Sequence, residues 1–405
     1  MNRHSHPLIG TMNKLSIENL AVKNKKVLLR VDFNVPLDDK RNVTDDTRIL
    51  AALPTIDYLL ANGAKVILLS HLGRPKGKVS NALSLRPVAE ELGKKLNKHV
   101  GFSPTVIGPV AQTAIDCLQS GNCLLMENIR FFPEEEKNDL QFSKELASLA
   151  DLYVNDAFGT AHRAHASTTG VAKYFKNAAC GYLIQNELDF LGRVSKNPDR
   201  PFCAIIGGAK VKDKIIVISR LMDKADDILI GGGMAYSFLK VKGNHVGDSI
   251  LDEDHFNLVE ELFKKAQNTS KKIHLPEDHI VARKFDNNAE TKEVEVDIPD
   301  GFMGMDIGPK TIKNFLSIVA KAKTVLWNGP MGVFEMDRFQ RGTFEVAVGM
   351  ANNPNTTIVG GGDSVAAVNK IEKAGEMSHV STGGGASLEF LEGKILPGIE
   401  ALAEK

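Results

Sequence analysis

Short apolar runs that end in charged or imidazole residues recur along the first half of the chain. VLLRVDFNVP at 27–36, VILLSHLGRP at 66–75, LLMENIRFF at 124–132 and LYVN ending at Asn155 each read as a strand covered on both faces. Amphipathic stretches with helical spacing lie between them. One runs from about Thr44 to Asn62, where Ile49, Leu53, Ile56 and Leu60 recur at steps of four and three and form one buried stripe. Thr44 or Asp45 is its candidate cap, Gly63 its stop and Pro54 a candidate kink, and its start places Arg48 near the strand ends. A second series follows Pro201: FCAIIGG, DDILIGGG, TVLWNGP, TTIVGGGD and SHVSTGGG, each leading into a helical or loop segment. Such alternation predicts an α/β chain with parallel sheets between layers of helices.

The join between the two series is expected near 180–200. There CGYLIQNELDFLGRVSKNPDRP reads as a helix with Leu183, Leu188 and Leu191 on overlapping faces, closed by a Pro-rich exit. A rigid helix joining two lobes lets them move as bodies. At 405 residues the chain exceeds the range of a single growing core, so two domains are the natural expectation. The ending LPGIEALAEK reads as a short helix after a Pro-Gly break, able to pack on either lobe.

Composition narrows the class. The 43% hydrophobic and 25% charged content is that of a soluble globular protein. Lys plus Arg and Asp plus Glu both number 50, which removes the electrostatic footprint of a nucleic-acid binder. Cys117, Cys123, Cys180 and Cys203 show neither a CxxC nor a zinc-like alternation with His, and fit a reducing cytosol. The start MNRHSHPLIGTMNKL lacks the apolar core of a signal peptide, and no later stretch is long and apolar enough to cross a bilayer. Met12 is the candidate initiator and residues 1–11 a disordered extension, in which His4 and His6 read as unstructured rather than as metal ligands.

The chemistry divides between the halves. In the first, strand ends supply Asp32 and Asn34, His71 and Arg74, and Arg130, and the run DAFGTAHRAHAS at 156–167 adds His162, Arg163 and His165. Ligands of open parallel sheets bind beyond the carboxyl ends of the strands, so these residues converge on one crevice. Any one Arg alone reads as a solvated surface charge, but their recurrence at successive strand ends implies a multiply anionic ligand gripped by guanidinium groups.

In the second half, glycines stand where the first half has Arg and His: Gly207 and Gly208, Gly231 to Gly233, Gly360 to Gly362, and Gly383 to Gly385. Glycine turns allow close backbone approach, and the helices after them offer free amides and a positive dipole end to phosphate. A single doublet merely permits a tight turn; three triplets point to a nucleotide. Neither GxxxxGK[ST] nor GxGxxG occurs, which disfavours a P-loop kinase and a standard Rossmann dehydrogenase. Lys210 and Lys214 are spaced to share one face of a helix start with an anion between them, although solvated lysines are an equal reading of that segment alone. Asp363 opens a helix either as an ordinary cap or as a magnesium ligand beside phosphates. Asn328 and Glu335 lie around a turn, and Trp327 reads as core.

An acid-binding lobe and a nucleotide lobe across a hinge suit a kinase that must keep water from the transferring phosphoryl group. With no obvious covalent nucleophile, direct in-line transfer is the simpler mechanism. A nicotinamide-dependent oxidoreductase and a catalytically silent nucleotide-binding scaffold are the competing readings. The first lacks its glycine fingerprint; the second has no need of Arg48, Lys210, Lys214 and Asp363.

Read together, VDFNVP, SHLGRP, ENIRF, DAFGTAHRAHAS, GGAKVKDKI, MGMDIGPKT, WNGPMGVFE, GGGDS and STGGGASLEFLEGK resemble the phosphoglycerate kinase family, in family order and from Leu15 onward. The resemblance implies reversible phosphoryl transfer from 1,3-bisphosphoglycerate to ADP in glycolysis, by a cytoplasmic monomer that uses magnesium with ATP or ADP. It implies two Rossmann-like three-layer lobes joined by a helix and hinge: 12–180 with 396–405 for phosphoglycerate, and 181–395 for nucleotide. It carries phosphoglycerate contacts onto Asp32, Phe33, Asn34, Arg48, His71, Arg74, Arg130 and Arg163, with His162 and His165 nearby. Arg48 would reach the transferring group and Lys210 would follow it. Nucleotide contacts fall on Gly208, Lys210, Lys214, Gly232, Gly304, Asn328, Glu335, Gly361, Gly362, Asp363 and Ser364, with Asp363 on magnesium. Gly383, Gly384 and Gly385 would supply amides at the reacting centre. Two departures stand out. Ser364 replaces a usual Thr and keeps the hydroxyl, and Phe302 replaces a common Trp, a difference expected to matter for packing only.

Overall fold

The computed structural model describes residues 13–405. The expectations for residues 1–11 and for Met12 lie outside them. The chain divides into two compact units: the described residues up to Asp189 together with Ile395–Lys405, and Phe190–Lys394. The division falls inside the helix Tyr182–Lys196.

Unit 1 is built on six parallel strands, β1 (Lys26–Arg30), β2 (Lys65–Leu69), β3 (Val100–Ser103), β4 (Cys123–Met126), β5 (Leu152–Asn155) and β6 (Ala179–Cys180). Their spatial order is β3-β4-β2-β1-β5-β6. In β1 and β2 every position after the first is buried, the pattern of strands covered on both faces. Val27, Leu29, Val66 and Leu68 pack with Ile49 and Ile56 of the helix Thr47–Ala61. That helix starts three residues later than the hydrophobic stripe alone suggests. The N-cap is Asp46, with no side-chain cap bond, so neither expected residue caps the helix: Thr44 turns its hydroxyl to the Pro36 carbonyl, and the Asp45 carboxylate accepts from the Thr47 amide at 2.9 Å. Pro54 lies inside the helix, and Gly63 beyond its end takes a φ of +73° that favours glycine.

The chain end belongs to unit 1. The Leu15 amide donates to Ala403 O at 2.8 Å, the Ala403 amide to Ala178 O at 2.9 Å, and the Gly398 amide to Ala161 O at 2.8 Å. At Gly398 an added Cβ would stand 2.9 Å from the Ala161 Cα, so only glycine lets the short helix Pro397–Glu400 lie against the segment that carries His162 and Arg163.

Unit 2 repeats the plan with β7 (Phe202–Ile206), β8 (Asp227–Ile230) and β9 (Lys272–His274). A small sheet of β10 (Asp278–Ala282), β11 (Thr291–Glu295) and β12 (Met303–Ile307) follows, and the main sheet resumes with β13 (Thr324–Asn328), β14 (Thr356–Gly360) and β15 (His379–Val380). The main sheet is parallel in the order β15-β14-β13-β7-β8-β9, and every residue of β7 and β13 is buried. Trp327 is wholly buried and donates its indole N–H to Gly329 O at 2.7 Å, which makes it core as expected. The antiparallel sheet β11-β10-β12 was not foreseen. Its outer strand TKEVE is mostly exposed and charged, so the hydrophobic pattern carries no trace of it.

One buried acid makes unit 1 sensitive to pH. Asp156, directly after β5, is fully buried, and burial raises its carboxyl to about 7 against hydrogen bonds from Thr55, Ile184 and Leu183. Its Oδ2 has no partner. The folded form therefore holds a proton that the unfolded chain releases near its ordinary value of 3.8. The stabilising contribution is complete below about pH 4 and is lost as pH rises through about 7. We expect Asp156→Asn to flatten the fall of the urea midpoint between about pH 4 and pH 7. An unchanged fall would show that Asp156 does not carry it.

Candidate active site

The strand ends of unit 1 bring Asp32, Asn34, Arg48, His71 and Arg130 together. Arg48, in the first turn of its helix, donates through NH1 to Asp32 Oδ2 at 2.5 Å, and His71 Nδ1 lies 3.9 Å from Asp32 Oδ1. The Asn34 side chain accepts from the Gly73 amide at 2.8 Å, while Arg130 NH1 donates to Gly73 O at 2.9 Å. Gly73 thus ties the ends of β1 and β4 through the loop after β2. Phe33 packs its ring in the core and donates its amide to Ser70 Oγ at 2.8 Å. Arg74 and Arg163 are exposed, and Arg163 Nε donates to His162 Nε2 at 3.0 Å.

Beneath these groups lies Arg30, which the strand pattern hid because it occupies a strand position. It is 0% exposed. Its Nε donates to Ser167 Oγ at 2.8 Å, NH1 to Val31 O, and NH2 to His71 Nδ1 at 3.2 Å. Ser167 donates in turn, through Oγ at 2.7 Å and N at 2.9 Å, to the fully buried carboxylate of Glu135. A buried charge is tolerated when its partners are buried with it. Glu135 also stands 3.7 Å from His165 Nδ1, which brings this histidine to the same network.

Crowded cations set the local electrostatics. Burial drives the His71 imidazole well below its ordinary value, and Arg30, Arg130 and Arg48 add to the effect against the pull of Asp32. Burial and the charges of Arg130, Arg30 and Arg163 likewise lower His165 to about 4. Burial alone would raise Asp32, but His71, Arg48, Arg30 and the Asn34 amide hold it below the usual carboxylate range. The site is therefore rich in fixed positive charge, with His71 and His165 neutral at neutral pH.

Unit 2 gathers a different set. The Gly207 amide donates to Asn328 O at 3.0 Å and the Gly208 amide to Pro330 O at 3.2 Å, while the Gly232 amide reaches Met331 O at 3.0 Å. These bonds lace the turns after β7, β8 and β13 so closely that a Cβ on Gly232, at φ +67°, would lie 2.6 Å from Gly208 N. Lys214 donates its amine to Asn328 Oδ1, and the Asn328 Nδ2 is buried without a partner. Burial lowers the Lys214 pKa against the attraction of Asp363, Asp213 and Glu392. Gly361, at φ +86°, places the backbone against the Asn328 amide, and the helix Gly362–Lys370 begins there with Asp363 exposed in its first turn. Gly208, Lys214, Asn328, Gly361, Gly362 and Asp363 thus share one locality. Ser364 is buried and its Oγ accepts from the Gly329 amide at 2.6 Å, so this hydroxyl braces the neighbouring turn.

The expected common helical face of Lys210 and Lys214 is corrected. A 3-10 turn, Val211–Asp213, separates them, and the α-helix Ile215–Leu221 starts only after Lys214. Lys210 is left exposed and Lys214 points inward. Gly304 in β12 donates its amide to Ser249 Oγ at 2.9 Å, and a Cβ there would overlap the Tyr236 hydroxyl. Glu335 is exposed. Gly383 donates to Ser381 Oγ at 3.1 Å, and the helix Gly385–Leu391 packs on Ile215–Leu221. Among the described residues no group of three or more His, Cys, Asp or Glu is placed to hold a metal. The lone Asp363 carboxylate beside a glycine turn fits an ion that takes most of its ligands from phosphate and water.

The model of one protein family, phosphoglycerate kinase, matches residues 17–394. The phosphoglycerate kinase of Koribacter versatilis is 55% identical over 403 residues, covering 97% of this chain and 100% of its own length. That of Clostridium botulinum is 55% identical over 392 residues, covering 96% and 99%. Among solved structures, phosphoglycerate kinase from Coxiella burnetii superposes with a TM-score of 0.87 at 41% identity, covering 96% of this chain and 98% of that one. The enzyme from Pyrococcus horikoshii gives 0.82 at 34% identity, with the same coverage. Two six-stranded parallel sheets with helices, a cationic site in one unit, a glycine-laced site in the other and these matches along nearly the whole chain place it in the phosphoglycerate kinase family.

Proposed function

We propose that unit 1 binds the phosphoglycerate and unit 2 the nucleotide of one reaction. The chain catalyses reversible phosphoryl transfer between 1,3-bisphosphoglycerate and ADP, giving 3-phosphoglycerate and ATP in glycolysis. The observation that carries the assignment of residues is the convergence of the Arg30, Arg48 and Arg130 guanidinium groups on Asp32 and His71, an arrangement that suits a multiply anionic ligand. Arg48, Arg130 and the exposed Arg74 and Arg163 grip the carboxylate and phosphate of that ligand, with Asn34, His71 and the backbone at Phe33 fixing its orientation.

In unit 2 the amides of the Gly361–Gly362 turn and the Lys214 amine hold nucleotide phosphates, and the unpartnered Asn328 Nδ2 is a further donor to them. Gly208, Gly232 and Gly304 lie beside the base, with Gly232 packed on the Gly208 backbone and Gly304 on Tyr236 so closely that no side chain fits at either, and the exposed Glu335 meets the ribose. Asp363 would hold magnesium, which when bound neutralises phosphate charge. No side chain here acts as a covalent nucleophile. Arg48, Lys210 and the amides of Gly383, Gly384 and Gly385 offset the charge that grows on the transferring group, so position and electrostatics do the chemistry. The nicotinamide reading falls with the family assignment, and the charges at the point of transfer oppose a silent scaffold. We read the enzyme as a cytoplasmic monomer; its four cysteines are free thiols, in keeping with a reducing compartment.

A coupled assay with 3-phosphoglycerate and ATP tests the reading: product should form only with magnesium, and its absence despite bound ATP would leave the scaffold. Arg48→Ala should lower kcat by about a hundredfold while the Kd for ADP stays within about twofold, because its charge acts chiefly in the transition state. Equal turnover would remove Arg48 from that role. Lys214→Ala should weaken ADP binding by about tenfold or more, the cost of one charge-assisted hydrogen bond. Calorimetric titration with unchanged affinity would move Lys214 out of the phosphate site.

A further inference from the structure

We propose that Arg30 is a positioning residue that fixes His71 as the neutral imidazole with its proton on Nε2, so that His71 meets the phosphoglycerate as a hydrogen-bond donor. The proposal rests on the assignment of unit 1 as the phosphoglycerate site. Arg30 is 0% exposed, so it acts through another group and not by touching ligand. A guanidinium has donors only. Its NH2 stands 3.2 Å from His71 Nδ1, so that nitrogen must present its lone pair, and the single proton of the neutral ring sits on Nε2.

The surroundings hold this arrangement from several elements. Arg30 is at the end of β1, pinned through Nε to Ser167 at 2.8 Å and through NH1 to Val31 O, while Ser167 is itself anchored by two bonds to Glu135. The charged groups that face His71 are Asp32 and Arg30 from the β1 end, Arg48 from the helix Thr47–Ala61, and Arg130 from the segment after β4. Three cations against one carboxylate disfavour a charged imidazolium, and His71 is itself only 3% exposed. Without Arg30 the carboxylate facing Nδ1 would be Asp32, with Oδ1 at 3.9 Å, which attracts a proton to the wrong nitrogen. The buried chain Glu135–Ser167–Arg30 therefore selects which edge of His71 carries the donor.

Nitrogen-15 NMR of the ligand-free full chain reads the tautomer directly, with the His71 signals assigned by their loss in His71→Gln. The expected spectrum has a bare Nδ1 and a protonated Nε2, unchanged from about pH 8 to about pH 5.5. A proton on Nδ1, or a doubly protonated ring near neutral pH, would overturn the proposal. In Arg30→Met the proton should move to Nδ1 and the KM for 3-phosphoglycerate should rise about tenfold or more, with the KM for ATP within about twofold. Arg30→Lys, which keeps a donor, should recover part of both. A raised KM with the tautomer unmoved would reduce Arg30 to a packing role and also overturn the proposal. Should Arg30→Met fail to fold, the wild-type spectrum decides alone. The spectrum does not depend on activity, so a wild-type chain inactive towards 3-phosphoglycerate would fail the assignment of the site separately.

Discussion

Cations that must share a small space without their ligand repel one another, and unit 1 depends on how that repulsion is contained. The answer lies below the surface. Arg30 is offset by Asp32 above it and, through Ser167, by Glu135, while Arg48 leans on the same Asp32 at 2.5 Å. Breaking one member of a buried ionic network leaves the rest uncompensated, at a cost of roughly 3–5 kcal/mol. The network therefore ties folding of the β1 and β5 ends to the readiness of the site. The segment with His162, Arg163 and His165 is held at two points, by the bonds of Ser167 to Glu135 and by the chain end, where the Gly398 amide donates to Ala161 O.

Unit 2 solves the opposite problem. On the proposed reading it brings backbone close to phosphate, and side chains are the obstacle. Gly207, Gly232 and Gly329 cross so tightly that a methyl group on any of them would meet main chain within 3 Å. Their mutual hydrogen bonds replace the packing that side chains would supply, and Ser364 adds a hydroxyl to the Gly329 amide from the following helix. One unit thus offers charge on long side chains over a buried counter-charge, and the other offers main-chain donors and a single inward lysine. Direct phosphoryl transfer needs both, because neither kind of group forms a bond to phosphorus.

The hydrophobic pattern told most of the architecture, since short continuous apolar runs bounded by glycine, proline or polar turn residues suit strands covered on both faces. Arg, His and Gly at strand ends told the chemistry for the same reason, as those ends are where open parallel sheets bind ligands. Three things were not legible. Arg30 was passed over as one position within an apolar strand, and only the three-dimensional placement of Ser167 and Glu135, more than a hundred residues away, reveals its role. The antiparallel sheet escaped because β11 is charged and mostly exposed. Lys210 and Lys214 follow helical spacing, yet the intervening 3-10 turn changes the direction of one against the other, a local backbone choice that residue spacing does not encode.

On the proposed mechanism the chain contributes position and electrostatics and forms no bond to the transferring group. Transfer from ATP made chiral at its γ-phosphorus to 3-phosphoglycerate tests this most directly. A single in-line displacement inverts the configuration at phosphorus, and the account predicts inversion. Retention would require two displacements through a phosphorylated side chain and would contradict it.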